Sequence, residues 1–398
     1  MKAQTCPFGM IMTSCLGKML DKAKNQGKPR RYLRNINVRW FGFDLSDVQE
    51  MRVADDEVER YSIRKGDLVV CEGGEPGRCA IWDKAETICF QKALHRVRFN
   101  NASDPKFYMY YLWMLAKSGA LAKFYTGTGI KHLTGESLKK LPVPVPPLSE
   151  QKRIVARIEE LFSELDSGVE TLKKTKQQLA VYRQAVLKAA FAVTDAPFRR
   201  LEELCFFITK GTTPRKASMS SGTGEIPFIK VYNLTSDNSL DFSINPTFVS
   251  GETHKGFLGR SIVYPGDVLM NIVGPPMGKV SIVPDTYPEW NINQAIARFR
   301  CLNGLCNKYL AYFLGYSDTI RKMTSKAKAT AGQFNLTLEI CRDIQIPIPS
   351  IEKQKQIVVK IESRLSVCDN IEKPVDAALQ QAESIRQSIL KKAFDGGL

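Results

Sequence analysis

The stretch PPLSEQKRIVARIEELF (Pro146–Phe162) is written a second time as PSIEKQKQIVVKIESRL (Pro349–Leu365), with Gln151 returning as Gln354 at an offset of 203. The echo extends well beyond this junction. IRKGDLVV (Ile63–Val70) returns as VYPGDVLM (Val263–Met270), and ALHRVRF (Ala93–Phe99) as AIARFRC (Ala295–Cys301). FYMYYL (Phe107–Leu112) returns as KYLAYFL (Lys308–Leu314), LPVPVP (Leu141–Pro146) as IQIPIP (Ile344–Pro349), and YRQAVLKAAF (Tyr182–Phe191) as IRQSILKKAF (Ile385–Phe394). A repeat covering half a chain implies repeated structure.

Each half begins with a region of short β-branched runs punctuated by Gly, Pro and Asn, for example Ser261–Met270 and Lys279–Val283. Such runs predict strands, with short helices at Tyr108–Lys117 and Asn307–Tyr316. A proline run then holds the chain extended (Pro142, Pro144, Pro146, Pro147) and a long helix follows. Ser149 is the expected N-cap, with Glu150 in the first turn. Ile154, Ile158, Leu161, Leu165, Val169, Leu172, Leu179, Tyr182, Val186 and Ala189 recur at steps of three, four or seven. Ile357, Ile361, Leu365, Cys368, Ile371, Val375, Leu379, Ala382, Ile385 and Ile389 do the same in the second copy, where Pro374 is expected to kink or interrupt the helix. One stripe on a long helix cannot be buried alone. The expected fold is therefore α+β: two pseudo-symmetric, strand-rich globular domains joined by two long antiparallel coiled-coil helices, the heads at opposite ends. The expected boundaries are 1–148, 149–194, 195–350 and 351–398. The opening Met1–Lys18 offers no clear match to Phe198–Gly211, so the first head is expected to begin divergent or truncated.

With 57 Lys and Arg against 41 Asp and Glu, the formal charge is +16, which favours a polyanionic partner. Ten cysteines without a CxxC pair point to reduced thiols and away from zinc. No secretory signal is legible, and the most apolar run, Phe107–Ala116, is too short to span a bilayer. A cytoplasmic protein with no membrane contact is expected.

The order head, helix, head, helix resembles the specificity subunit of type I restriction–modification systems. The residues that carry the resemblance are Val143–Asp166, Tyr182–Phe191, their second copies, and KGTTP at Lys210–Pro214. The resemblance implies two target-recognition domains, each reading half of a split, asymmetric site on double-stranded DNA. It implies helices that act as ruler and as docking surface for two modification subunits, with restriction and translocase subunits joining through the complex. S-adenosylmethionine, ATP and Mg²⁺ would belong to those partners, leaving this chain without cofactor and without catalysis.

The residues themselves favour binding over chemistry. No Asn/Asp-Pro-Pro-aromatic motif is present, and GPPMGKV (Gly274–Val280) is one residue short of a phosphate loop, with Val280 where a hydroxyl is needed. It reads as a strand turn. No metal or catalytic site is expected. Candidate DNA contacts in the first head are Lys22, Lys24, Lys28, Arg30, Arg31, Arg34 and Arg39, then Lys131 and His132 beside the glycines of Lys123–Leu133. In the second head they are Lys210, Thr212, Thr213, Arg215, Lys216, Lys230, Asn233, Lys326, Lys328, Gln333 and Asn335, with the amides suited to adenine. The alternative is a coiled-coil scaffold that does not bind DNA, its charge serving solubility.

Overall fold

The computed structural model describes residues 4–21, 25–192, 196–235, 237–274, 277–330 and 333–397. Two long helices dominate the sequence, a central one at Leu148–Ala192 and a C-terminal one at Ile351–Phe394. The chain divides into two compact units, residues 1–173 with 376–398, and residues 174–375. Each unit therefore combines one head with the start of one long helix and the end of the other.

In the first unit, the strands Gln49–Val53, Lys28–Leu33, Ile88–Phe90 and Ser62–Ile63 form one sheet in that order. A second sheet runs Met12–Leu16, Leu94–Phe99, Leu68–Cys71, Cys79–Ile81. The second unit repeats both, with one further edge strand, Met219–Ser221, on the first. Its first sheet is Met219–Ser221, Thr247–Val249, Ile226–Ile229, Trp290–Ile292 and Ile262–Val263; its second is Cys205–Lys210, Ile296–Cys301, Val268–Asn271 and Val280–Ile282. In each head two strands pair in parallel, Tyr32 with Cys89 and Phe228 with Asn291.

The repeated Gly-Asp dipeptides now have a cause. Gly66 and Gly266 turn the chain at φ +91° and +88°, a region that favours glycine. Asp67 and Asp267 then accept from the backbone N–H of Arg64 and Tyr264, and each takes a two-pronged bond from an arginine on the neighbouring strand. Arg98 donates to Asp67 at 2.8 and 3.1 Å, and Arg300 to Asp267 at 2.8 and 2.7 Å.

The opening of the first head carries a strand. Thr5–Pro7 pairs antiparallel with Pro142–Pro144, as Phe198–Arg200 pairs with Gln345–Pro347. A ladder strand specifies backbone bonds and inward faces rather than identities, so the two openings share a fold without sharing a legible sequence. The helix starts differ too. The central helix begins at Leu148, so Ser149 lies inside its first turn; the N–H groups of Glu150 and Gln151 donate to the Pro147 carbonyl oxygen. Ser350 does cap the second copy, its Oγ accepting from Lys353 N–H at 3.3 Å. The C-terminal helix runs unbroken through Pro374. The short helices begin and end slightly off expectation, at Pro105–Lys117 and Asn307–Leu314, the latter followed by Ser317–Ser325.

Gln151 and Gln354 explain why the junction is duplicated. Both are fully buried. Gln151 accepts from Asp104 N–H at 2.8 Å and donates to the carbonyl oxygens of Ala102 (3.1 Å) and Pro146 (2.8 Å). Gln354 accepts from Cys306 N–H at 2.9 Å and donates to Gly304 (2.8 Å) and Pro349 (2.9 Å). Each glutamine ties the loop before a head helix to the proline entry of a long helix. Tyr108 and Tyr309 reinforce the same joint, their hydroxyls donating to the Pro144 and Pro347 carbonyl oxygens.

The helix ends are crossed over. In the first unit, Ile154, Val155, Ile158 and Phe162 share a core with Leu390 and Ala393, and Phe394 packs edge-on against Phe107 and Tyr111. In the second unit, Val186, Leu187 and Phe191 share a core with Ile357, Val358 and Ile361, and Phe191 packs on Tyr309 and Phe313. The helices run antiparallel in each unit. Asp166 pairs with Arg386 in one, and Asp369 with Arg183 in the other, which is the same pair displaced by 203 residues.

Replacing Gln354 with Met keeps the volume but strands one N–H and two carbonyl oxygens. A loss of about 3 kcal/mol in unfolding free energy is expected, measured by denaturant titration; a loss under about 1 kcal/mol would show that the clamp is dispensable. A second expectation concerns His95. It is buried, with Nε2 3.1 Å from the Leu133 carbonyl oxygen, and burial holds its pKa below the ordinary histidine value. Its stabilising effect is complete above about pH 6.5 and is lost as pH falls through the unfolded pKa toward the lower folded one. His95→Gln should therefore flatten the acid limb of a melting-temperature profile.

Candidate nucleic-acid interface

The first head brings two separately predicted segments onto one turn. Gly73–Arg78 links the strands Leu68–Cys71 and Cys79–Ile81. Arg78 donates to the Asn35 carbonyl oxygen at 2.9 Å, and Trp40 Nε1 to Glu75 at 2.8 Å, so the segment containing Lys28–Arg39 leans on this turn. From the other side, the Tyr125 hydroxyl donates to the Pro76 carbonyl oxygen at 2.9 Å, and Leu133 N–H to that of Glu72 at 2.8 Å. A Cβ at Gly77, already at φ +90°, would lie 2.3 Å from a Leu121 methyl, so this corner requires glycine.

The basic run is largely neutralised within the fold. Lys28 and Arg30 pair with Asp55, Arg34 with Asp47, and Arg39 with Asp44. The Arg30 hydrogen bond, with the Lys28 charge behind it, holds the Asp55 carboxyl below the usual range. Exposed pairs of this kind contribute little to stability, but each carboxylate competes with a phosphate for its cation. Arg31 is exposed and has no side-chain partner among the described residues. Lys131 is exposed and donates to the Gly127 carbonyl oxygen at 2.9 Å, which closes the glycine turn and leaves its charge unneutralised. His132 is half-buried beside Gly73. Lys22 and Lys24 lie outside the described residues.

In the second head, Lys210 ends the edge strand and Gly211 turns it. Gly211 N–H donates to the Ile296 carbonyl oxygen, and a Cβ there would sit 2.1 Å from that of Ile292. Thr212 N–H donates to Ile292, and Thr213 Oγ1 accepts from Gln294 N–H. Lys210, Arg215 and Lys216 are exposed. Lys230 is half-buried over the Tyr232 ring, 5.9 Å from its centroid. Lys326 is exposed at the end of the helix Ser317–Ser325. Beyond it, Lys328–Thr330 pairs with Gln333–Asn335, though the side chains of Lys328 and Gln333 lie outside the described set. Asn335 bridges to Val273, and Leu336 N–H donates to the Ile272 carbonyl oxygen, the counterpart of Leu133 on Glu72. The Oδ1 of Asn335 is buried and accepts no bond among the described residues. Of GPPMGKV, Pro275 and Pro276 lie outside the described residues; Gly274 and Gly278 stand at positive φ between the strands Val268–Asn271 and Val280–Ile282, and Val280 opens the second strand.

Asn233 is a correction. It is 1 % exposed, accepts from Lys230 N–H at 2.9 Å, and donates to the carbonyl oxygens of Asp241 and Ile244. Asn37 makes the same three bonds in the first head, to Arg34, Asp44 and Asp47. An amide with all its groups used inside the fold has none left for a base. The signal was available, since Arg-Asn-Ile-Asn and Lys-Val-Tyr-Asn place an asparagine three residues after a basic one in both heads. The neutralising acids were missed because they lie downstream of the arginines they meet.

Burial pushes the Cys71 thiol up to about 11 and the Cys341 thiol to about 12, which leaves both protonated. No group of three His, Cys, Asp or Glu among the described residues could hold a metal, and no described helix is long and apolar enough to cross a membrane.

A duplicated strand-rich head carrying exposed basic loops, mounted on paired helices, defines a two-headed binding protein. The family model described as "Type I restriction modification DNA specificity domain" matches residues 15–179 and 195–381. The chain belongs to that family and carries its domain twice. It is 27% identical over 375 residues to the type I restriction enzyme EcoBI specificity subunit of Escherichia coli, covering 85% of this chain and 75% of the relative. It is 25% identical over 300 residues to the EcoKI specificity subunit of Escherichia coli strain K12, covering 70% of this chain and 62% of that relative's length. Among solved structures, a chain described under "Structural basis underlying complex assembly and conformational transition of the type I R-M system" superposes with a TM-score of 0.77 at 20% identity, over 99% of this chain and 98% of its own. The HsdS subunit from Thermoanaerobacter tengcongensis gives 0.57 at 20% identity, over 100% and 97%. At that identity the likeness is one of fold.

Asn233→Ala should lower unfolding stability by about 2–3 kcal/mol, as read by chemical denaturation. A base-reading role would instead weaken DNA binding and leave the denaturation midpoint unchanged.

Proposed function

We propose that this chain is the DNA-specificity subunit of a type I restriction–modification system. It reads an asymmetric, bipartite site on double-stranded DNA, one half-site per head, and catalyses nothing itself. The observation that supports this best is the contrast between frame and loops. The two heads share sheet order, glutamine clamp, Asp–Arg pair and asparagine strut, yet differ in the segments that carry their unneutralised cations, Arg31 on a strand and Lys131 on a turn against Lys210 at a strand end and Arg215 and Lys216 beyond it. One frame with two readers suits two unlike half-sites.

Two modification subunits would dock on the long helices, with restriction and translocase subunits reached through them. S-adenosylmethionine, ATP and Mg²⁺ would be theirs. The helix repeat supports this assignment. Exposed positions drift apart after a duplication unless something touches them. Glu159 and Asp166 return as Glu362 and Asp369, held by ion pairs inside the fold to Lys106 and Arg386 and to Lys308 and Arg183. Lys152 and Ser163, which no ion pair among the described residues holds, nonetheless return as Lys355 and Ser366. Eleven residues, about three helical turns, put Lys152 and Ser163 on one stripe, exposed in both copies. A stripe kept twice suits a partner that binds twice.

Methylation mapping of genomic DNA, with the modification subunits present, should return one motif of two unlike blocks separated by a fixed spacer. Methylation without sequence preference would refute the reading. Arg31→Ala or Lys131→Ala should weaken duplex binding severalfold and reduce the salt slope by roughly one unit for each lost phosphate contact. In the scaffold alternative, neither change alters any binding.

A further inference from the structure

The second unit contains a cleft of about 580 Å³ at the base of its head. Its floor is apolar, built from Phe191, Phe313, Met323, Ile340 and Ile344. Phe198 stands on the rim, 62% exposed. Three exposed lysines also line it: Lys188 from the central helix, and Lys322 and Lys326 four residues apart. The carboxylates of the same cleft are already matched. Asp318 accepts from Arg321 at 2.7 Å and from the Tyr316 hydroxyl at 2.8 Å, and Asp343 pairs with Arg200. None of the three lysines has an ion-pair partner among the described residues. Three unmatched cations repel one another above a floor whose side chains are buried or half-buried, and the Phe198 ring on the rim stays wet.

We propose that this cleft is a docking site for an acidic segment of a protein partner, anchored by one bulky apolar side chain. The anchor covers the floor, and carboxylates on either side of it meet Lys188 across the cleft from Lys322 and Lys326. Duplex DNA fits less well, because a phosphate backbone presents nothing apolar to the phenylalanines. The cleft touches one candidate reading segment through Lys326 but lies away from the other, Gly211–Lys216. The strand Cys205–Lys210 separates the base of the head from Gly211–Lys216 by about 20 Å at roughly 3.3 Å per residue. Lys188 is kept as Lys391 in the second helix copy, again exposed. This inference does not depend on what the heads read.

The test is fluorescence anisotropy on the full chain, with a fluorescein-labelled peptide bearing a central Phe and three Glu on each side. Binding is expected. It should weaken about tenfold when the Phe becomes Gly, and about tenfold for the protein variant Lys188→Glu with Lys322→Glu. A Lys188→Gln, Lys322→Gln variant should fall between, and an unchanged melting temperature in both variants excludes misfolding. Absence of binding overturns the proposal. So does equal binding of the Gly peptide, which would mean charge alone, or insensitivity to the lysine changes. Displacement of the peptide by an equimolar DNA duplex would assign the cleft to DNA instead. Loss of duplex binding with the peptide still held would count against the DNA-reading role only.

Discussion

Two buried glutamines hold the molecule to its plan. A side chain with one acceptor and two donors, fully removed from water, has to find all its partners in the fold, and Gln151 and Gln354 find theirs in two places at once. One set of bonds reaches the loop ahead of a head helix, the other the proline entry of a long helix. The head is thereby fixed to the helix that leaves it. The angle between them cannot change without stranding a buried polar group, a penalty comparable to a sizeable part of a domain's net stability.

The remaining repeated residues extend this logic. Asp67 and Asp267 close a turn and grip the neighbouring strand through an arginine, and Asn37 and Asn233 brace a loop through three backbone bonds. All are polar, all are partly or wholly buried, and all recur in both heads. An apolar core tolerates exchange among Leu, Ile, Val and Met, so the cores of the two heads have drifted. A buried amide or carboxylate has few substitutes.

The sequence made the duplication, the long helices and the strand-rich heads legible, because a helix start, a proline run and a Gly-Asp turn are local signals. The hidden parts were not local. That Thr5–Pro7 pairs with Pro142–Pro144 depends on backbone bonds that carry no residue code. That Lys28, Arg30, Arg34 and Arg39 are matched by Asp44, Asp47 and Asp55 depends on a hairpin and a strand pairing that bring those acids back. Reading cations from composition therefore overstated the first head's basic surface, and among its described candidates Arg31 and Lys131 stand clear of the acids. The same reading took Asn233 for a surface amide, although its counterpart Asn37 occupies the same frame position.

The crossing of the helix ends has a consequence for how the protein is made. Phe394 fills the aromatic site beside Phe107 and Tyr111, and Leu390 and Ala393 share the core of the N-terminal head. These contacts join residues at opposite ends of the chain, and long-range closures are slow. During synthesis the N-terminal head emerges first but lacks part of its core until the last turn of the final helix leaves the ribosome. The C-terminal head has no such wait, because every segment it needs precedes residue 376. The half that is made first is the half that is finished last.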